Sequence, residues 1–264
     1  MNLELTNLHV LITGGSKGIG LACARGFIAE GARVTLVSRT VATLQSAQRE
    51  LQSATPSATV NIIAADLRNA AEAEQMVDAV ERDFGAVDVL VNSAGAAKRT
   101  PAAELTTDAW HDAMQAKFFT YIHVINPLIK KMGARGRGAV VNVVGAGGKV
   151  AAVTHLAGGS ANAALMLASS GLAAAYAGKG VRVNAVNPGL TLTERLQEGM
   201  QAEARQQGIS MEEALARAKA TRPLGRIAEP SEIADAVVYL ASNRASYITG
   251  AVVAMDGAVT PMVV

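Results

Sequence analysis

The sequence predicts an α/β fold: a doubly wound parallel sheet with helices on both faces, held in one domain. Two features point there. Apolar runs of about five residues alternate with longer helix-like segments from end to end. The first of them, His9-Val10-Leu11-Ile12, leads into a glycine-rich turn, Thr13-Gly14-Gly15-Ser16-Lys17-Gly18-Ile19-Gly20, and then into a helix-like run from Leu21. A strand, a glycine turn and a helix start in that order build a phosphate cradle. Glycine permits the tight turn and a close backbone approach, and the bared N–H groups and helix dipole favour an anion.

The other elements follow in order. Residues 33–37 read as the second strand, with a helix after it through about Leu51. A turn at Pro56 precedes the third strand, 60–64. Asn69 is placed to cap a helix reaching Phe84, and 87–91 is the fourth strand. Thr106 or Thr107 starts one long helix through about Lys131. The fifth strand is 138–144, a small-residue helix spans 155–177, and the sixth strand is 181–186. The charged, amphipathic stretch 193–219 reads as one or two surface helices covering the pocket, its charged face turned to solvent. Pro230-Ser231-Glu232 opens a helix ending near Ala241, and 251–255 is the seventh strand. Right-handed crossovers place the ligand crevice at the C-terminal ends of the strands.

Composition sets the limits. Half of the 264 residues are hydrophobic and only 3% aromatic, so the core is aliphatic and alanine-rich. A net charge of +2 without a basic run argues against a nucleic-acid partner. Residues 1–5 lack a basic region followed by an apolar core, so no signal peptide is expected, and no apolar run is long enough for a membrane span. The single cysteine, Cys23, excludes an intrachain disulfide and a cysteine-based metal cluster. The expectation is a cytoplasmic protein with no metal. No linker or repeat divides the chain, so residues 1–264 are read as one domain, with about 193–222 as the covering segment.

With this order in hand, the chain resembles the short-chain dehydrogenase/reductase family over nearly its whole length. The family's threonine-glycine-x-x-x-glycine-x-glycine loop is met by Thr13, Gly14, Gly18 and Gly20. Its adenine-binding aspartate is matched by Asp66, followed by Leu67, and its turn after the fourth strand by Asn92-Ser93-Ala94-Gly95. Asn187-Pro188-Gly189 is similar to the turn after the sixth strand, and Thr193 falls where a threonine holds the nicotinamide carboxamide. Pro223-Leu224-Gly225-Arg226, Tyr247-Ile248-Thr249-Gly250 and Asp256-Gly257 match the C-terminal pattern, with Ala258 where a second glycine is usual. The resemblance implies a three-layer Rossmann fold with strand order 3-2-1-4-5-6-7. It also implies cofactor contacts at Gly14, Ser16, Lys17, Gly18, Ile19, Gly20, Asp66, Leu67, Asn92, Ala94, Gly95, Asn162, Pro188, Gly189, Thr191 and Thr193.

The choice of dinucleotide follows from the second strand. An NAD-preferring fold places an acid there for the ribose 2′-hydroxyl. This chain has Ser38 and then Arg39, and Lys17 lies in the glycine loop. A guanidinium bonds a 2′-phosphate in a bidentate, charge-assisted way, so NADP(H) is expected over NAD(H).

The resemblance is weakest where the family does its chemistry. It implies a serine, a tyrosine with a lysine four residues later, and an asparagine on the preceding helix. Those places hold Gly145, Gly158, Asn162 and Lys117. Lys117 and His155 are the substitute proton donors within reach of that region, with Tyr121 one turn beyond Lys117. Lys98 and Arg99, in the 96–99 loop, hint at an anionic group at the entrance. Two readings follow. One is a divergent NADP(H)-dependent oxidoreductase on a carbonyl/alcohol or enoyl substrate. The other is an inactive relative acting as a cofactor sensor or partner subunit. The family resemblance implies a homotetramer or homodimer, or a hetero-oligomer with an active relative.

Overall fold

The apolar runs pair side by side in one parallel sheet. The structure, a computed structural model, describes residues 2–95 and 97–262. β1 (His9–Thr13), β2 (Arg33–Ser38), β3 (Val60–Ala64), β4 (Val89–Asn92), β5 (Gly138–Val143), β6 (Val181–Pro188) and β7 (Val252–Met255) lie in the order β3-β2-β1-β4-β5-β6-β7. Every neighbouring pair is parallel. Each connection is therefore a crossover, and helices cover both faces.

Alternation along β1 shows the two layers of core. Val10 and Ile12 join a cluster with Phe27 of α1 (Gly18–Ala29) and Val237 of α9 (Pro230–Ala241). Leu11 points the other way, into a cluster with Val77 of α3 (Ala70–Phe84) and Leu128 of α5 (Thr120–Arg135). α2 (Val41–Ala54) sends Leu44 and Leu51 into the first layer, and α6 (Leu156–Tyr176) sends Leu165 into the second. Among the described residues no helix is long and apolar enough to cross a membrane.

Local chemistry sets the ends. Asn69 accepts from the N–H groups of Ala71 and Glu72, and Thr106 accepts from Ala109. The fourth strand pairs from Val89 and not from Val87, whose N–H is taken by the Glu81 carboxylate at 3.0 Å. The covering segment forms two helices, α7 (Glu194–Gln207) and α8 (Met211–Ala220), with a small core of Met200, Ala204 and Ala214.

The expected single helix over 107–131 is a correction. α4 (Thr107–Ala113) gives way to a π-helical turn, Met114–Phe119, before α5 begins at Thr120. Gly95, at φ 81°, presses against this turn, and a Cβ there would lie 2.9 Å from Thr120 Oγ1 and closer still to the Ala116 carbonyl. The widened turn carries Lys117 inward, as such insertions do at functional sites.

Candidate active site

The glycine loop is shaped for a phosphate. Gly14, at φ 66°, turns so tightly that a Cβ would sit 2.7 Å from the Ser93 carbonyl. Its N–H donates to the Val37 carbonyl at 2.8 Å, anchoring the loop to β2, and a Cβ at Gly20 would strike the Gly14 carbonyl. Ser16, Lys17, Gly18 and Ile19 then lead into α1, whose N-terminus has no side-chain cap. Those free N–H groups suit a dinucleotide phosphate. Thr193 lies against Gly18, with Cγ2 3.4 Å from a Cβ built there, while its hydroxyl accepts from Leu196 N–H and caps α7.

At the far end of β2, Ser38 is half-buried and Arg39 exposed. Arg39 lies close enough to Asp66 to help hold that carboxyl below its usual range, although hydrogen bonds from Arg68 are the main cause. Leu67 is buried beside it. Lys17 pairs with Glu194 at 3.8 Å in a solvent-exposed contact. Such pairs contribute little, so the ammonium stays exchangeable.

Asn92 does not reach the crevice with its side chain. It is fully buried in a polar chain across the sheet, taking a bond from Thr13 Oγ1 at 3.2 Å and donating to Asn142 Oδ1 at 3.0 Å. Asn142 donates in turn to Ser169 Oγ at 2.9 Å, and Ser169 to the Leu165 carbonyl. Thr13 Oγ1 also accepts from Ala94 N–H at 3.3 Å, so this chain sets the loop that ends in Gly95.

A cavity of about 380 Å³ opens at the C-terminal ends of the strands. Gly145, Gly158, Asn162 and Lys117 all line it, together with Gly95, Pro188 and Gly189. Thr191 is buried beside it and forms a bridge with Ala228. Of the segment 96–99, Ala96 lies outside the described residues, while Ala97 and Arg99 are on the cavity wall.

Lys117 does not reach solvent. Its Nζ donates to Tyr121 Oη at 2.9 Å and to the Val143 carbonyl at 3.0 Å, and the Tyr121 hydroxyl donates to the same carbonyl at 2.6 Å. Burial, with Arg195 as a smaller cause, lowers the lysine pKa to about 7, and burial pushes the Tyr121 phenol up. Tyr121 is thus a core residue that holds Lys117.

His155 is no surface loop residue. It precedes α6, and its ring lies over Gly158, with Nε2 2.6 Å from the position of a Cβ there and Cδ2 3.2 Å from one at Gly147. Two missing side chains make its niche. Its Nδ1 is buried with no hydrogen-bond partner. Burial holds its pKa below 6.5, with Arg99, Arg195 and Lys117 adding to the effect. Asn162, two turns along the same helix face, puts Nδ2 3.1 Å from a Cβ built at Gly145.

Sequence reasoning missed Arg195 and Arg222, which turn inward from the covering segment to line the cavity. Their signal was available, in two arginines at the ends of a segment read as solvent-facing.

Comparison with known proteins agrees with this layout. A family model described as enoyl-(acyl carrier protein) reductase matches residues 14–260. The chain belongs to the short-chain dehydrogenase/reductase family. Galactitol 2-dehydrogenase (L-tagatose-forming) of Cereibacter sphaeroides is 37% identical over 252 residues, covering 94% of this chain and 93% of the relative. L-sorbose reductase of Gluconobacter frateurii, solved with NADPH and L-sorbose, superposes with a TM-score of 0.94 at 30% identity, covering all of both chains. An NADPH-bound short-chain oxidoreductase of Pseudomonas aeruginosa, described as containing an atypical catalytic centre, gives 0.88 at 30% identity over 98% of this chain and 100% of the other. As a family member, this chain shares its three-layer Rossmann architecture and strand order with these relatives.

Proposed function

We propose that this protein is an NADP(H)-dependent oxidoreductase of an alcohol/carbonyl pair in which His155 handles the proton. One observation carries the reading: the His155 imidazole fills the space left at Gly158, on the wall of the cavity that Lys117 and Asn162 also line.

The loop Gly14–Gly20 and the open N-terminus of α1 suit the cofactor's phosphates, and Pro188, Gly189 and Thr193 suit its nicotinamide end. Ser38 and Arg39, in place of an acid, favour a 2′-phosphate, in keeping with the NADPH held by the two solved relatives. Bound NADPH supplies the hydride that reduces a carbonyl carbon. His155 gives its proton to the carbonyl oxygen as charge develops there, so hydride and proton together make the alcohol. In the reverse direction the neutral ring takes the proton back. Asn162 offers its amide to the nicotinamide ribose, and Lys117 is a second amine that exchanges protons near neutrality.

Calorimetry with NADPH and NADH, followed by NADPH oxidation with a panel of ketones and hydroxy ketones, tests the reading. Tight NADPH binding with turnover that His155→Ala abolishes supports it. Binding without turnover on any carbonyl or enoyl substrate overturns it in favour of a non-catalytic, cofactor-holding subunit. The exposed Leu167 on α6 and Phe119 beside α5 suit helix-to-helix assembly in a homodimer or homotetramer, which native mass measurement decides.

A further inference from the structure

Most of the arginines elsewhere in this chain have partners among the described residues. Arg25, Arg68, Arg82, Arg135, Arg226 and Arg244 each meet a carboxylate. Arg182, half-buried, donates to the carbonyls of Leu240, Ala241, Ser242 and Ile248.

The cavity is different. Arg99, from the loop after β4, Arg195, from the first turn of α7, and Arg222, from the loop after α8, line it from three separate segments. Among the described residues no carboxylate comes within ion-pairing distance of any of the three. Glu198, one turn from Arg195, acts on it only at longer range. Among the described residues Asp256 is the single acid on the cavity wall, and its two oxygens already accept from Ala258 and Thr260 N–H at 3.0 and 3.1 Å.

Arg195 is also poorly placed for helix stability. A cation in the first turn opposes the helix dipole, and partial desolvation holds the pKa of this one below its usual value. It is fixed in position, donating from Nη2 to the Ala97 carbonyl at 3.2 Å. Arg222 donates from Nη1 to Thr221 Oγ1 at 2.6 Å, while its buried Nε has no partner. Concentrated, partly desolvated like charge is costly unless an anion completes it.

We infer that the substrate carries an oxyanion head, a carboxylate or phosphate, held by Arg99, Arg195 and Arg222 while its carbonyl faces His155. A planar guanidinium fork suits either head in a bidentate bond. A small oxo acid or sugar phosphate and its alcohol fit a cavity of this volume. This inference rests on the oxidoreductase reading for the carbonyl, but not for the anion.

The test is calorimetry on NADP-loaded protein with acetoacetate, dihydroxyacetone phosphate and the neutral dihydroxyacetone, at low and high salt. The expected result is at least a tenfold tighter affinity for one of the anions than for the neutral compound, shrinking as salt rises. The anion that wins tells carboxylate from phosphate. Arg222→Met and Arg195→Met abolish the preference with NADP affinity unchanged, and Arg99→Gln, on an exposed residue, reduces it where folding is not at risk. Equal affinity for all three probes overturns the inference, as does a matching loss of NADP affinity in Arg195→Met, which assigns that guanidinium to the cofactor. Anion preference without turnover removes the oxidoreductase reading and leaves this one standing. Turnover of dihydroxyacetone without anion preference does the reverse.

Discussion

The imidazole of His155 lies where a side chain at Gly158 would project: a Cβ at Gly158 would fall 2.6 Å from its Nε2 and 2.8 Å from the Ala97 Cβ. One residue holds the space and the other leaves it. Adding a single methyl at Gly158 therefore has to expel the ring. Both His155→Ala and Gly158→Ala are expected to lower kcat by about 10²–10⁴-fold, the usual cost of a lost proton donor. NADPH affinity should stay unchanged in each. Turnover near the native rate in His155→Ala would remove the histidine from the reaction.

The acidity of that ring sets a pH profile. Burial first, and then Arg99, Arg195 and Lys117, favour its neutral form and hold its pKa below 6.5. A general acid works protonated, so reductive kcat/KM should climb as pH falls toward and through that lowered value. Oxidation needs the neutral base, so it should be sustained across neutral pH and fall only on the acid side of the same value. Arg195→Met removes one repelling charge and should shift both limbs to higher pH. Profiles that stay put in that variant would assign the titration to another group.

Lys117 offers a stability test with a defined sign. Its pKa is lowered from 10.5 to about 7 by burial. Between those values the unfolded chain holds a proton that the folded chain lacks, so stability rises with pH. The penalty is complete below about pH 7 and fades toward pH 10.5. Lys117→Met keeps the volume and leaves Tyr121 its bond to the Val143 carbonyl. The variant should be more stable than the parent at pH 6–7, with the gap closing by about 1.4 kcal/mol per pH unit above that. Urea unfolding at several pH values measures it, and a gap independent of pH would show that Lys117 titrates normally.

Arg39 tests the choice of dinucleotide. It is exposed at the end of β2 and electrostatically close to Asp66. A charge-assisted bond to a 2′-phosphate is worth about 1.5–3 kcal/mol, so Arg39→Ala should weaken NADPH by roughly 10- to 150-fold. NADH, which lacks that phosphate, should bind as before. An equal loss for both would mean that Arg39 supports the adenine and not the phosphate.

These tests concern residues that were legible to different degrees. The strands were readable because a parallel strand buried on both faces needs a short continuous apolar run, as in Val89 to Val91. The glycine loop was readable because its spacing is the local backbone geometry itself. The π turn at Met114–Phe119 was not, since the residues that make it are ordinary helix formers and its close packing on Gly95 through Ala116 and Thr120 exists only in the fold. His155 was visible as a candidate, but its place depends on space left by Gly147 and Gly158, and only the fold joins those three. Arg195 and Arg222 were hidden by a helical pattern that reports a polar face without saying which polar side chains turn back over the pocket.

Ala258 gives the last prediction, because the backbone there asks for glycine. It sits at φ 64°, in the left-handed region, directly after Gly257 at φ 66°. The turn is held by Asp256, which accepts from the N–H of Ala258 and of Thr260, so the strain has no easy relief. A left-handed residue with a Cβ costs about 1–2 kcal/mol, while glycine adds about 0.5–1 kcal/mol of chain entropy to the unfolded state. Ala258→Gly should therefore stabilise the protein by about 0.5–1 kcal/mol, a rise of roughly 1–4 °C in Tm for a chain of this size. Asp256→Ala should do the opposite, by freeing both N–H groups. Val259 and Thr260 line the cavity, so the glycine variant should also test whether this turn sets the pocket wall. A higher Tm with unchanged KM would separate strain in the turn from the shape of the site, and a Tm that falls would show that the methyl of Ala258 packs more than its backbone strains.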